Sequence, residues 1–153
     1  MATMNLGILA HADAGKTTVT EQLLLLSGSI RRAGSVDEGT TQTDWMEVER
    51  RRGISVRAAA AVLACGDTRI QLIDTPGHVD FLGEVERSLA VLDGAVLVVS
   101  SVEGVQAQTR VLWRALEKMG IPVLLLINKV DRVGCDLPGV LKQLRQECSP
   151  HLL

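Results

Sequence analysis

The segment NLGILAHADAGKTT, Asn5 to Thr18, decides how the chain is read. Leu6 to Ala10 is a short apolar strand, and a helical pattern starts at Lys16, which gives the strand, loop and helix order of a phosphate-binding loop. A polyphosphate is held in such a loop by successive backbone N–H groups at a helix N-terminus, so the chain must wrap tightly and allow close backbone approach. Ala12, Asp13, Ala14 and Gly15 form the wrap, and Gly15 supplies the approach. Lys16 is placed to reach the terminal phosphates as a point charge. The Thr17 hydroxyl is placed to take one position on Mg²⁺, a hard cation that prefers oxygen, and Thr18 continues the helix beside the site. Ala10 stands where the pattern GxxxxGK[ST] has its first glycine. The loop by itself therefore also fits a strand followed by an ordinary helix cap, and the decision falls to the rest of the chain.

Composition narrows the classes. With 153 residues, 46% of them hydrophobic, the chain can bury the core of one globular domain. A net charge of −2 gives no electrostatic reason to expect binding to DNA or to a membrane surface. The arginines at 31, 32, 50, 51 and 52 read first as a solvated face. Cys65, Cys135 and Cys148 form no CxxC pair, and an odd number of scattered thiols suits a reducing cytosol. No signal-like N-terminus or bilayer-length apolar run is present in the sequence, and a cytoplasmic location is expected.

Outward from the loop, strand-length apolar runs alternate with helical patterns, which predicts an α/β fold with a mostly parallel sheet. The first helix runs from Lys16 to about Ser27 and stops at Gly28. Periodicity then vanishes from Ile30 to Gly53, a connection longer than most compact domains contain and therefore a functional or disordered one. A strand from Ile54 to Ala64 turns at Gly66-Asp67 into a second, Thr68 to Ile73, as a hairpin. A helix from Val79 to Leu92, a buried strand from Ala95 to Ser100, a helix from Val105 to Met119 and a strand from Ile121 to Ile127 come next. The last helix spans Leu137 to Cys148, with Pro138 in its first turn.

Two further motifs sit at strand ends, where ligands bind in open α/β sheets. DTPGH, Asp74 to His78, follows the second hairpin strand. Asp74 is a candidate Mg²⁺ holder, directly or through water, although a lone Asp before Pro also forms turns. Gly77 can offer its N–H to the terminal phosphate, and His78 can orient an attacking water; the plainer alternative is a surface histidine that opens a helix. NKVD, Asn128 to Asp131, ends the strand from Ile121. A carboxylate only accepts, so Asp131 suits the adjacent N1–H and N2 amino donors of guanine and finds no such pair on adenine. Asn128 is placed to tie this segment to the phosphate loop, and the Lys129 stem to cover the base. The three motifs in this order predict a guanine-nucleotide switch.

AHADAGKTT, RRRGISV, DTPGHVDF and NKVDR resemble the translational GTPases, the group that includes elongation factor G. GSVDEGTTQTD, SLAVLDGAVLVVSSVEGVQAQTRVL and DLPGVL are similar, more narrowly, to the ribosomal protection proteins of tetracycline resistance, whereas TDWMEVE resembles elongation factor G. The resemblance implies a P-loop NTPase fold, three-layer α/β/α with a mostly parallel sheet and one antiparallel edge strand. It implies GTP and GDP as ligands, Mg²⁺ as cofactor and the ribosome as partner. It makes the loop before Ile54 a first switch whose hydroxyl, here Ser55, completes the Mg²⁺ shell in the triphosphate state. Asp13 takes nucleotide and cation contacts. Ile54 and a bulky loop residue flank the water-positioning histidine, and the loop residue here is the small Ala12, which is expected to open one side of that gate.

The same resemblance sets expectations for the chain after Asp131. The SA or SK strand and the final helix of such a domain are not found, so residues 1–153 read as a single GTP-binding domain cut short. That reading leaves the strand from Ile121 to Ile127 as an apolar edge and part of the leucine face of the first helix uncovered, with self-association expected. Two other functions compete with a ribosomal GTPase. One is a P-loop ATPase or kinase, which Asp131 opposes; the other is a non-catalytic fragment kept as an interaction module.

Overall fold

The structure, a computed structural model, describes residues 2–30, 61–74 and 89–152. The first strand, β1, spans Ala2–Ala10 and feeds helix α1, Lys16–Leu26. After it come β2, Ala61–Cys65, and β3, Thr68–Asp74. Strand β4 is Gly94–Ser100, α2 is Ala107–Lys118, β5 is Val123–Asn128 and α3 is Leu137–Glu147. The first of these strands begins four residues before the apolar run that announces it. Pairing explains the difference, because Ala2 to Asn5 lie opposite Thr68 to Gln71 and join the ladder without being buried.

Five strands form one sheet in the order β2-β3-β1-β4-β5. β1 is parallel to both β3 and β4, β4 is parallel to β5, and β2 is antiparallel to β3. The hairpin turn is the expected one, with Cys65 opposite Thr68 across Gly66-Asp67. Because β1 has its chain-order successors on both sides, its C-terminal end is a topological switch point, the place where an open α/β sheet makes a crevice.

Each face of the sheet has its own core. On one side α1 brings Leu24, with Val19 and Leu23, against Ile8, Ala10, Leu63, Leu72, Val96 and Val98. On the other, Leu112, Ala115 and Leu116 of α2 and Val140 and Leu144 of α3 pack on Leu9, Leu97 and Val99. β4 is buried along its whole length, which is why it reads as an unbroken apolar run rather than an alternating one. This is the three-layer α/β/α arrangement expected from the sequence.

The helix ends follow their local chemistry. Gly28, at φ 72°, stops α1: its N–H donates to Leu25 C=O and that of Ser29 to Leu24 C=O. At the end of α2 the N–H of Ile121 still donates to Leu116 C=O, which shortens the expected strand so that β5 opens at Val123. Among the described residues β5 is an edge of the sheet, and Leu124 on it is 64% exposed. Leu26, the last residue of α1, is 82% exposed. No helix among the described residues is long and apolar enough to cross a membrane.

Candidate nucleotide site

The parallel strands deliver the ends of β1, β3, β4 and β5 to one edge. In register, Ile8 pairs with Asp74, Ala10 with Val98, and Ser100 with Asn128. The loop from His11 to Gly15 leaves β1 at that edge and NKVD leaves β5 there, so two of the three motifs lie side by side. Asp74 ends β3 on the flank of β1. Gly77, His78 and Ser55 lie outside the described residues, as does the arginine-rich stretch before Ile54.

The loop is built from alternating backbone hands. Asp13 has φ 60° and Gly15 φ 96°, with Ala14 between them fully buried. Ala14 N–H donates to His11 C=O at 3.3 Å, closing the turn. Gly15 is the N-cap of α1 and carries no side chain to cap it, and the first turn of α1 has no acidic residue. The other two described helices differ. α2 is closed by a capping box of Gln106 and Thr109, and α3 by the Asp136 carboxylate accepting from Gly139 N–H. An uncapped N-terminus with its partial positive charge is suited to an anion. Ala12, Asp13 and Thr18 are exposed around it, and Lys16 and Thr17 are half-buried at its mouth.

Gly15 answers a contact as well as a dihedral. A Cβ there would fall well inside contact distance of Asn128 Nδ2. That amide donates to Ala14 C=O at 2.9 Å, across 114 positions of sequence, and so joins the NKVD turn to the loop after β1. The turn after β5 places Lys129 at φ 61°, half-buried, and Asp131 exposed. Arg132 N–H donates to Lys129 C=O at 3.1 Å and tightens this turn.

Several partners in the site are not singled out by the sequence. Ala12 N–H donates to Gln108 Oε1 at 3.2 Å, and His11 Nδ1 lies 3.1 Å from Thr109 Oγ1, so the start of α2 holds the loop from behind. Lys129 Nζ forms an ion pair with Glu103 at 3.0 Å. That contact holds the Glu103 carboxyl below its usual range. Ser101, fully buried, donates its Oγ to Lys129 C=O at 2.8 Å. The available signal is position: Ser101 to Glu103 follow β4 at the same edge as the motifs.

His11 is buried at 6% exposure, and its Nε2 has no partner among the described residues. Burial lowers its pKa from 6.5; Glu103 and Asp13 nearby oppose the shift, and Lys129 adds to it. A depressed imidazole favours the neutral folded form, so the unfolded chain takes up the proton first. Stability linked to His11 is full above pH 6.5 and is lost as pH falls through the lower folded value. The melting temperature is therefore expected to drop between pH 7.5 and 5.5, and less steeply in His11→Asn. Parallel melting curves for the two proteins check this.

Fold and edge together define a P-loop domain of the guanine-nucleotide-binding type. The chain belongs to the Elongation factor Tu GTP binding domain family, which it matches over residues 1–151. It is 59% identical, over 98% of its length, to the oxytetracycline resistance protein of Streptomyces rimosus, and 56% identical over 99% to tetracycline resistance protein TetM of Streptomyces lividans. It is 55% identical over its full length to tetracycline resistance protein TetO of Campylobacter jejuni. The chain spans 23–24% of the length of these relatives. Among solved structures, a crystal structure from Thermus thermophilus matches with a TM-score of 0.79 at 37% identity, over 94% of this chain and 22% of the other.

Proposed function

We propose that this chain is the GTP-hydrolysing part of a ribosomal protection protein of tetracycline resistance. The observation that carries the reading is the Asn128 amide bonded to the phosphate loop, which fixes the base-reading turn at a set distance from the phosphate cradle. The relatives named for tetracycline resistance support the choice over a translocation factor. The reaction is phosphoryl transfer to water, in which positioning and charge neutralisation do most of the catalysis.

Each residue has a part in that scheme. Gly15 and its neighbours Ala12 to Ala14 offer backbone to the phosphates, with Thr18 beside them, and Lys16 neutralises charge that grows toward the leaving oxygen. Asn128, Lys129 and Asp131 select guanine. His78 orients the attacking water, and Gly77 N–H contacts the phosphate that leaves. The metal donors Thr17, Ser55 and Asp74 are all oxygens; the half-buried Thr17 opens α1 at the cradle and Asp74 ends the neighbouring strand, a set that fits a hard cation. Mg²⁺, when bound there, supplies further charge neutralisation at the phosphates.

Calorimetric titration with GDP and, separately, ADP tests the binding half: GDP alone is expected to bind. Phosphate release from GTP, followed with and without ribosomes, tests the catalytic half, and a stimulated rate is expected. Binding without any turnover would favour a non-catalytic interaction module instead. Ala12 supplies a sharper check. On the family pattern the small side chain would leave one side of the water-positioning histidine open, so Ala12→Val and Ala12→Ile are expected to lower the basal hydrolysis rate several-fold. An unchanged basal rate sinks the open-gate idea.

A further inference from the structure

We propose that Ser101 and Glu103, just beyond β4, are positioning residues for guanine recognition, the first holding the backbone of the base-reading turn and the second the ammonium of Lys129. The inference rests on the guanine-nucleotide reading of the site.

The backbone gives the first reason. Lys129 at φ 61° sits in the left-handed region, which L-residues other than Asn and Asp rarely enter. Such a residue stays there only when its surroundings hold it. Here the Lys129 carbonyl accepts from Ser101 Oγ at 2.8 Å and from Arg132 N–H at 3.1 Å. The preceding carbonyl, of Asn128, accepts from Ser101 N–H at 2.9 Å, and Ser101 C=O accepts from Asp136 N–H at 3.0 Å. One fully buried serine thus pins consecutive carbonyls of the turn and is itself pinned by the start of α3. If Lys129 relaxed to the right-handed region, the peptide leading to Val130 and Asp131 would rotate away.

The side chain gives the second. Glu103 and Lys129 are 40% and 24% exposed, so their ion pair adds little to folding. Its effect falls on Lys129 itself, a long flexible chain that the carboxylate holds in one place before the base arrives. A stem already ordered loses less entropy when it covers the purine, and affinity rises accordingly.

GDP binding to the whole chain, measured by calorimetry, tests both halves. Ser101→Ala is expected to weaken GDP about tenfold, the scale of one buried hydrogen bond, and Ser101→Thr to restore most of it. Glu103→Gln is expected to weaken GDP about threefold with an unchanged melting temperature, and to have no further effect in a Lys129→Met background. A Glu103 effect that persists without Lys129, or tighter binding on Glu103→Gln, overturns the role given to Glu103. Ser101→Thr binding as poorly as Ser101→Ala, or Ser101→Ala binding GDP normally, overturns the role given to Ser101. If Ser101→Ala fails to fold, the threonine variant decides alone: near-normal affinity supports the role and a tenfold loss overturns it. Unaltered chain that binds no GDP defeats the guanine reading itself, and this inference with it.

Discussion

Gly15→Ala is expected to weaken GDP binding by roughly 30- to 1000-fold while leaving the sheet intact. Two costs add at this position. An L side chain forced to φ 96° carries strain of about 1–3 kcal/mol. The added Cβ also lands on Asn128 Nδ2, so either the loop or the base segment must move, and the 2.9 Å bond to Ala14 C=O is lost with it. That bond contributes about 1 kcal/mol, and the sum corresponds to a Kd higher by roughly 30- to 1000-fold. Lys16 and Thr17 follow directly, so any shift of Gly15 also displaces the groups proposed for phosphate and metal. Titration with GDP, beside a far-UV spectrum matching the unaltered chain, checks the expectation. Binding within threefold of normal would mean that the cradle lies elsewhere.

Asp131→Asn is expected to change the preferred base rather than abolish binding. On the proposed reading the Asp131 carboxylate accepts from the two adjacent donors of guanine, with both bonds charge-assisted. An amide turns one acceptor into a donor and meets the 2-amino group donor to donor. The loss is about 3–4 kcal/mol, or roughly 100- to 1000-fold in Kd for GDP. Xanthine carries a carbonyl at that position, which the new N–H satisfies, so xanthosine diphosphate is expected to become the tighter ligand. Asp131 is exposed in its turn, and the substitution should leave folding unaltered. Competition between the two diphosphates on both proteins measures the exchange. A variant that keeps its preference for GDP would take the base-reading role from Asp131.

Much of this arrangement is legible in the residues because the chemistry is local. Gly15, Lys16 and Thr17 read as a cradle once DTPGH and NKVD are set beside them, and the unbroken apolar run of β4 reads as a strand buried on both sides. The helix stop at Gly28 is likewise written in one residue. Features that depend on pairing at a distance stay hidden. β1 extends back to Ala2 because β3 offers a ladder there, although the outer residues are not apolar enough to announce it. β5 opens late because Ile121 still serves the end of α2. Gln108, Thr109, Ser101 and Glu103 look like ordinary helix-start and turn residues until the sheet brings them behind the loop and the base turn. The stem of Lys129 reads as a cover for the base, but its left-handed backbone has no composition signal at all. The predicted roles of Ser55, Gly77 and His78 fall outside the described residues.

The bond from Asn128 to Ala14 also has a bearing on the order in which the chain matures. Its donor stands at the end of β5, which pairs only with β4 among the described strands, and its acceptor lies in a loop made more than a hundred residues earlier in synthesis. A growing polypeptide can therefore form β1 and α1 and still lack a sealed loop until the fifth strand has emerged and docked. Parallel pairings between distant segments are slow to form, and the apolar strands stay open to other chains meanwhile. Competence to hold a nucleotide should accordingly appear late and abruptly during synthesis, and ligand present at that moment would be drawn into the docking of the fifth strand.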